Sequence, residues 1–216
     1  MKDSGPSLTA DLLLQAYQVG VFPMSEGRDD PEVFWVDPRM RGVIPLDQFR
    51  ISRSLARTLR RERFSITVDQ AFEDVVCGCA DRDETWINDT IFDLYCQLYQ
   101  AGFAHSVEVW ENERLVGGVY GVTIGAAFFG ESMFSKATDA SKVALAYLVD
   151  RLRLGGYQLF DTQFITPHLT SLGAVEIPRD HYRAMLVEAL SLVASFDVPG
   201  PVPPAQDVIQ RNAQTS

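Results

Sequence analysis

Residues 104–135 constrain the fold more than any other part of the chain. His105–Trp110 reads as a strand, Glu111-Asn112-Glu113 supplies a turn, and Leu115–Ile124 reads as a second strand. Gly125 then leads into a third run, Ala126–Ser135. Three such runs joined by short connections read as an antiparallel meander. Gly117, Gly118 and Gly121 thin the middle strand, which marks a bulge or the close approach of a ligand or another backbone. A long amphipathic helix, Asp139–Leu154, follows and stops at Gly155-Gly156, and Tyr157–Gln163 reads as one more strand. The chain is therefore expected to be α+β, a mixed sheet with flanking helices.

The end of the third run is chemically odd. Phe128–Ser135 reads Phe-Phe-Gly-Glu-Ser-Met-Phe-Ser. Strict alternation puts Phe129, Glu131, Met133 and Ser135 on one face, with Phe128, Gly130, Ser132 and Phe134 on the other. A dry, unpaired glutamate among these groups would cost several kcal/mol. Two readings follow: a strand end where Glu131 meets water, or the wall of an apolar slot with one anionic group.

The flanking segments bound the class. The chain has 216 residues and a net charge of −10, with no apolar run near the ~20 residues that span a bilayer. The opening Met-Lys-Asp-Ser-Gly-Pro lacks the apolar core of an export signal. Three cysteines leave one unpaired in any disulfide scheme, and Cys77 and Cys79 have the wrong spacing for a zinc pair. A reduced, cytoplasmic location is expected, with no metal site and no membrane contact.

The acidic total hides a basic segment. Eight arginines lie between Arg39 and Arg63 against only Asp47 and Glu62. Residues 52–61 read as a helix carrying Arg53, Arg57 and Arg60 at helical spacing, with Arg50 just before it. Solvated faces normally mix signs, so unopposed arginines suit phosphates. Residues 9–19 read as a helix capped by Thr9, 69–78 as a helix, and Asp89 or Thr90 is expected to cap a further helix that runs to Gly102. The last helix is expected over 180–195. Three units result: a small N-terminal domain over 1–62, a catalytic domain over 63–198, and a Pro-rich tail over 199–216 with nothing to pack against and therefore disordered.

Asp161 and Gln163 share one face of the Phe160–Phe164 run, opposite Phe160, Thr162 and Phe164. A carboxylate and an amide two apart form either a relay or a polar strand end meeting solvent. The sequence contains no Ser-His-Asp set, no Walker loop and no dinucleotide glycine fingerprint. The absence of a dedicated nucleophile favours a substrate that arrives activated.

Several segments together resemble the bacterial leucyl/phenylalanyl-tRNA–protein transferases. They are Leu14-Gln15-Ala16-Tyr17-Gln18-Val19-Gly20-Val21-Phe22-Pro23, Trp35-Val36-Asp37-Pro38-Arg39, Thr85-Trp86-Ile87 and His105–Trp110. Further matches are Leu115–Val122, Gly130-Glu131-Ser132-Met133-Phe134-Ser135, Ser171-Leu172-Gly173-Ala174 and Glu176-Ile177-Pro178-Arg179. The resemblance implies a catalytic domain of the acetyltransferase-like (GNAT) fold behind a reduced N-terminal domain, with no cofactor. It implies transfer of leucine or phenylalanine from Leu-tRNA or Phe-tRNA to the amino terminus of proteins beginning with arginine or lysine. It also implies N-end rule degradation of the product; a monomer is expected.

By the same resemblance, Asp161 and Gln163 correspond to a catalytic pair. Val119, Phe128, Met133 and Phe134 correspond to a side-chain pocket, Glu131 to an acidic group beside the aminoacyl-adenosine, and Trp86 to an aromatic on the terminal adenosine. Arg50, Arg53, Arg57 and Arg60 form the expected tRNA-binding cluster. Met24 replaces a tryptophan and Thr166 an asparagine of many members. The alternatives are a non-catalytic tRNA- or RNA-binding module and an acetyl-CoA-dependent acetyltransferase. The loop Lys136–Ser141 lacks the glycines that the second would need.

Overall fold

The computed structural model of the protein describes residues 8–215. The opening residues 1–6, expected to carry no export signal, lie outside it. Thr9 caps α1 (Ala10–Gln18) by accepting from the Leu12 amide, and Gly20 closes it at φ 83°. Phe22–Met24 (β1) and Phe34–Val36 (β2) form a separate two-stranded hairpin. Met40–Val43 (β3) precedes α2 (Arg53–Arg60), which is capped by Ser52. Next come β4 (Ser65–Val68), α3 (Phe72–Ala80) and α4 (Asp89–Gln100). The cap of α4 is Asn88, one residue before the expected position.

The meander is present as β5 (Ala104–Glu111), β6 (Arg114–Ile124) and β7 (Ala127–Ser135). It is followed by α5 (Ala140–Leu154), β8 (Leu159–Gln163), α6 (Pro167–Ser171), β9 (Val175–Pro178), α7 (Arg179–Ser191) and α8 (Ala205–Thr215). The seven strands of the main sheet run in the order β4-β5-β6-β7-β8-β3-β9, with β7 and β8 parallel and every other pair antiparallel. This is the expected α+β class: meander, long helix, then a parallel strand beside the meander.

Both sheet faces are buried. On one, α5 packs with α2 and α8 around Phe128, Phe160 and Val149. On the other, α1, α3, α4 and α7 enclose Tyr95, Tyr120, Phe129 and Tyr182. Among the described residues no helix is long and apolar enough to cross a membrane.

Two expectations fail. First, β3 lies inside the main sheet between β8 and β9, so the segment before residue 62 is woven into the catalytic sheet. Second, the tail is not disordered where it is described. Ala205 and Val208 of α8 are buried in the α5-side core, and Arg211 grips the nearly buried Asp150 with two 2.7 Å hydrogen bonds. The prolines before α8 set its start, and its apolar positions recur at helical spacing in a stretch that composition alone marks as polar.

Candidate active site

The cleft opens where β7 and β8 part. Their parallel ladder runs from Ala127–Leu159 through Phe128–Phe160 to Phe129–Asp161 and ends there. Beyond it, residues 130–133 form one wall and 162–164 another of a cavity of about 270 Å³. Phe22, Met24, Trp86, Val119, Leu145, Phe160 and Leu169 supply most of the apolar lining.

A bulge builds the first wall. Tyr120 pairs with Ser132 while Gly121 pairs with Gly130, so Glu131 has no partner on β6. The slip exchanges the faces expected from strict alternation. Phe128 and Met133 join the α5 side, and Phe129 and Phe134 the opposite side. Gly121 permits it, since a Cβ there would lie 2.2 Å from the Phe129 carbonyl oxygen and 2.6 Å from the Phe128 ring. Bulges re-aim side chains in this way, and here the side chain is a carboxylate.

Glu131 is held from two sides. Tyr95 Oη donates to Oε2 at 2.6 Å, and Gln163 Nε2 donates to Oε1 at 3.1 Å. Tyr17 and Tyr95 share a 2.7 Å hydroxyl contact behind it. Burial pushes the Glu131 pKa up to about 7, against the opposing pull of the Tyr95 hydrogen bond. Burial, then the Glu131 charge, raises Tyr95 and Tyr17 well above the usual phenol range, so both stay protonated donors. The Thr162 hydroxyl, on the facing wall, is buried with no partner among the described residues.

Asp161 does not line the cleft. It is fully buried and accepts from Arg41 Nε at 2.9 and 3.1 Å, Arg41 Nη2 at 2.6 Å, Tyr182 Oη at 2.8 Å and the Gln163 amide at 2.8 Å. The expectation that Asp161 and Gln163 present one shared face fails because the strand turns between them. The Phe164 amide donates back to the Thr162 carbonyl at 2.6 Å around Gln163, whose φ is 55°. That three-residue turn swings the Gln163 side chain into the cleft and leaves Asp161 beneath it.

Met24, Trp86, Val119, Glu131, Met133, Gln163 and Thr166 all line the cavity. Phe128 is one layer behind, fully buried and edge-on to Phe160 at 5.5 Å. Phe134 faces away, over Gly78 of α3 and beside the Lys136 ammonium. Both corrections follow from the bulge. Trp86 meets Tyr95 edge-on at 6.4 Å. Thr166 caps α6 by accepting from the Leu169 amide at 3.2 Å, so its hydroxyl oxygen is already engaged.

Sequence reasoning missed Arg82, whose Nη2 donates to Ser132 Oγ at 2.9 Å on the rim. It also missed Phe22, Leu145, Phe160 and Leu169, which line the cavity. On α2, Leu55, Ala56 and Leu59 are buried while Arg53, Arg57 and Arg60 are exposed, as is Arg50 before it. None of these four arginines forms an ion pair among the described residues. Thr58 Oγ1 donates to Asp139 at 3.2 Å, tying this helix to the start of α5.

The family described as leucyl/phenylalanyl-tRNA protein transferase matches residues 43–187, and its N-terminal domain matches residues 6–39. The chain belongs to this family. A leucyl/phenylalanyl-tRNA–protein transferase of Cereibacter sphaeroides is 63% identical over 98% of this chain and 99% of the relative. One from a Ruegeria species is 64% identical over 97% of this chain and 100% of the relative. The transferase also shares its fold with FemX, at a TM-score of 0.51 and 12% identity, over 78% of this chain and 66% of the other. It is an aminoacyltransferase, which excludes the reading as a purely non-catalytic RNA-binding module.

Proposed function

We propose that this transferase moves a leucyl or phenylalanyl group from aminoacyl-tRNA to the amino-terminal arginine or lysine of an acceptor protein. It does so in the cytoplasm, as a monomer, and marks the acceptor for N-end rule degradation. The observation that carries the reading is the Glu131–Gln163 couple on the wall of an apolar cleft.

The aminoacyl ester is already activated, so attack by the acceptor α-amine suffices. A C–N bond forms as the ester C–O bond breaks, and the ribose oxygen leaves with a proton. The amine has an ordinary pKa of about 7.7–8.0, so one positioned base completes its deprotonation. Glu131 fills that role: its pKa of about 7 matches it to the amine, and Gln163 and Tyr95 fix its two oxygens. The Gln163 amide can also donate to the carbonyl oxygen as charge builds on it. Asp161 acts from beneath, on Gln163, and does not take the proton itself.

Val119, Met133, Leu145, Phe160 and Leu169 offer an apolar side chain a dry seat, and Trp86 and Met24 offer the terminal adenine a flat one. Arg50, Arg53, Arg57 and Arg60 supply unpaired charge for the tRNA backbone. The test uses Leu-tRNA or Phe-tRNA with a peptide beginning with arginine, read by mass. The product should gain one leucyl or phenylalanyl residue. An unchanged mass refutes the reading.

A further inference from the structure

Arg41 is 1% exposed, yet it heads the largest fully buried side chains among the described residues. Its guanidinium lies between the Phe22 ring, 4.6 Å from the centroid, and the Tyr182 ring at 4.5 Å. Its nitrogens hold both Asp161 oxygens, and Nη1 donates to the Gly20 carbonyl at 3.0 Å. Desolvation works against the charge, but the Asp161 charge and hydrogen bonds outweigh it and raise the Arg41 pKa. A planar fork stacked between two rings makes these contacts at once; an ammonium cannot.

The restraint continues into the cleft. Asp161 Oδ1 accepts the Gln163 amide at 2.8 Å and so fixes the turn at φ 55°, a conformation that non-glycine residues seldom adopt. Gly42, next to Arg41, pairs with Gln163, and a Cβ on it would lie 2.7 Å from the Phe164 carbonyl carbon. Strand β3 therefore grips this turn twice, through the Arg41 side chain and through the bare backbone at Gly42.

We infer that Arg41 is a positioning residue of the transfer site, acting through Asp161 to set the turn that presents the Gln163 amide to Glu131. The inference rests on the reading that Gln163 and Glu131 serve the transfer.

The test is a double-mutant cycle on steady-state transfer from Leu-tRNA, comparing Arg41→Lys, Gln163→Ala and both together, with thermal melts of each. Tyr182→Phe, which removes one donor to Asp161 at nearly constant volume, is carried in parallel in case Arg41→Lys does not fold. Arg41→Lys should lower kcat about tenfold or more, because misplacement by an ångström costs that much, while KM for Leu-tRNA stays within about twofold. Tyr182→Phe should act in the same direction more weakly. In the Gln163→Ala background neither change should lower kcat further. An equal kcat loss with and without Gln163, or a lowered melting temperature with wild-type kcat, overturns the positioning role while leaving the proposed function intact. Wild-type kcat in Gln163→Ala overturns the roles of Gln163 and Arg41 together, while absence of transfer by the wild type overturns the proposed function, which separates the two failures.

Discussion

Glu131 and Gln163 belong to strands that have stopped pairing, yet their side chains meet at 3.1 Å. The contact joins two walls of the cleft and fixes the orientation of a carboxylate whose pKa is about 7. Glu131→Gln keeps the shape and removes the base. Transfer to an arginine-starting peptide should fall about 10²- to 10⁴-fold, the usual worth of a general base. The pH profile should change as well. Wild-type kcat/KM should rise with pH through about 7 as Glu131 loses its proton and again at about 7.7–8.0 as the acceptor amine does, and the residual activity of the variant should keep only the second limb. An unaltered first limb in the variant would assign it to another group.

The same shift has a stability consequence. The Glu131 carboxyl gives up its proton near 4.5 when the chain is unfolded and near 7 when folded. Between these values the folded state binds more protons, so stability falls as pH rises through that window. The loss should be on the order of 1–3 kcal/mol and absent from Glu131→Gln. Melting temperatures at pH 5 and pH 8 should therefore diverge more in the wild type than in the variant.

Asp161 should behave as a structural ion before it behaves as a catalytic one. Asp161→Ala leaves the Arg41 guanidinium buried without its counter-charge, which costs roughly 3–5 kcal/mol. The melting temperature should drop by about 6–20 °C for a chain of this size. Any activity loss must be read against that drop. If Asp161→Ala melts with the wild type, the Arg41–Asp161 pair carries no structural weight.

How far the site was legible depended on local geometry. The meander and the arginine helix were readable because period and composition report them directly, while Glu131 stood out by composition and was assigned to the site by the resemblance. The bulge at Glu131 was signalled by Gly121, but no period says which residue of the partner strand is extruded. The resemblance placed Phe128 and Phe134 in the lining, whereas one lies behind it and the other faces α3. The Gln163 turn was invisible for a related reason: a non-glycine residue at φ 55° is held by Asp161 and Arg41, whose partnership spans 120 positions. Arg41 itself was hidden inside a basic run whose seven other members, Arg50, Arg53, Arg57 and Arg60 among them, are exposed.

For that exposed run, Arg53→Ala with Arg57→Ala should leave the melting temperature unchanged, because both side chains are exposed and outside any ion pair among the described residues. Binding to tRNA should weaken, and the slope of log affinity against log salt should flatten by about 1–2. Equal slopes for the wild type and the double variant would move the tRNA contact elsewhere.

The helix that composition hid is also testable, and its position gives it a second effect. Val208 of α8 is 1% exposed against the α5-side core, and α8 also packs on the arginine helix α2. Val208→Asp would bury an unpaired carboxylate in that seam, at a cost of roughly 2–4 kcal/mol, and should lower the melting temperature by about 4–16 °C. Gln163, Glu131 and the cleft lie beyond this seam, so kcat measured well below the melting temperature should stay near wild type. Affinity for tRNA should fall, because the seat of α2 is disturbed while its arginines remain. A variant that melts and binds like the wild type would mean that α8 is detached in solution and that the expectation of a disordered tail was right.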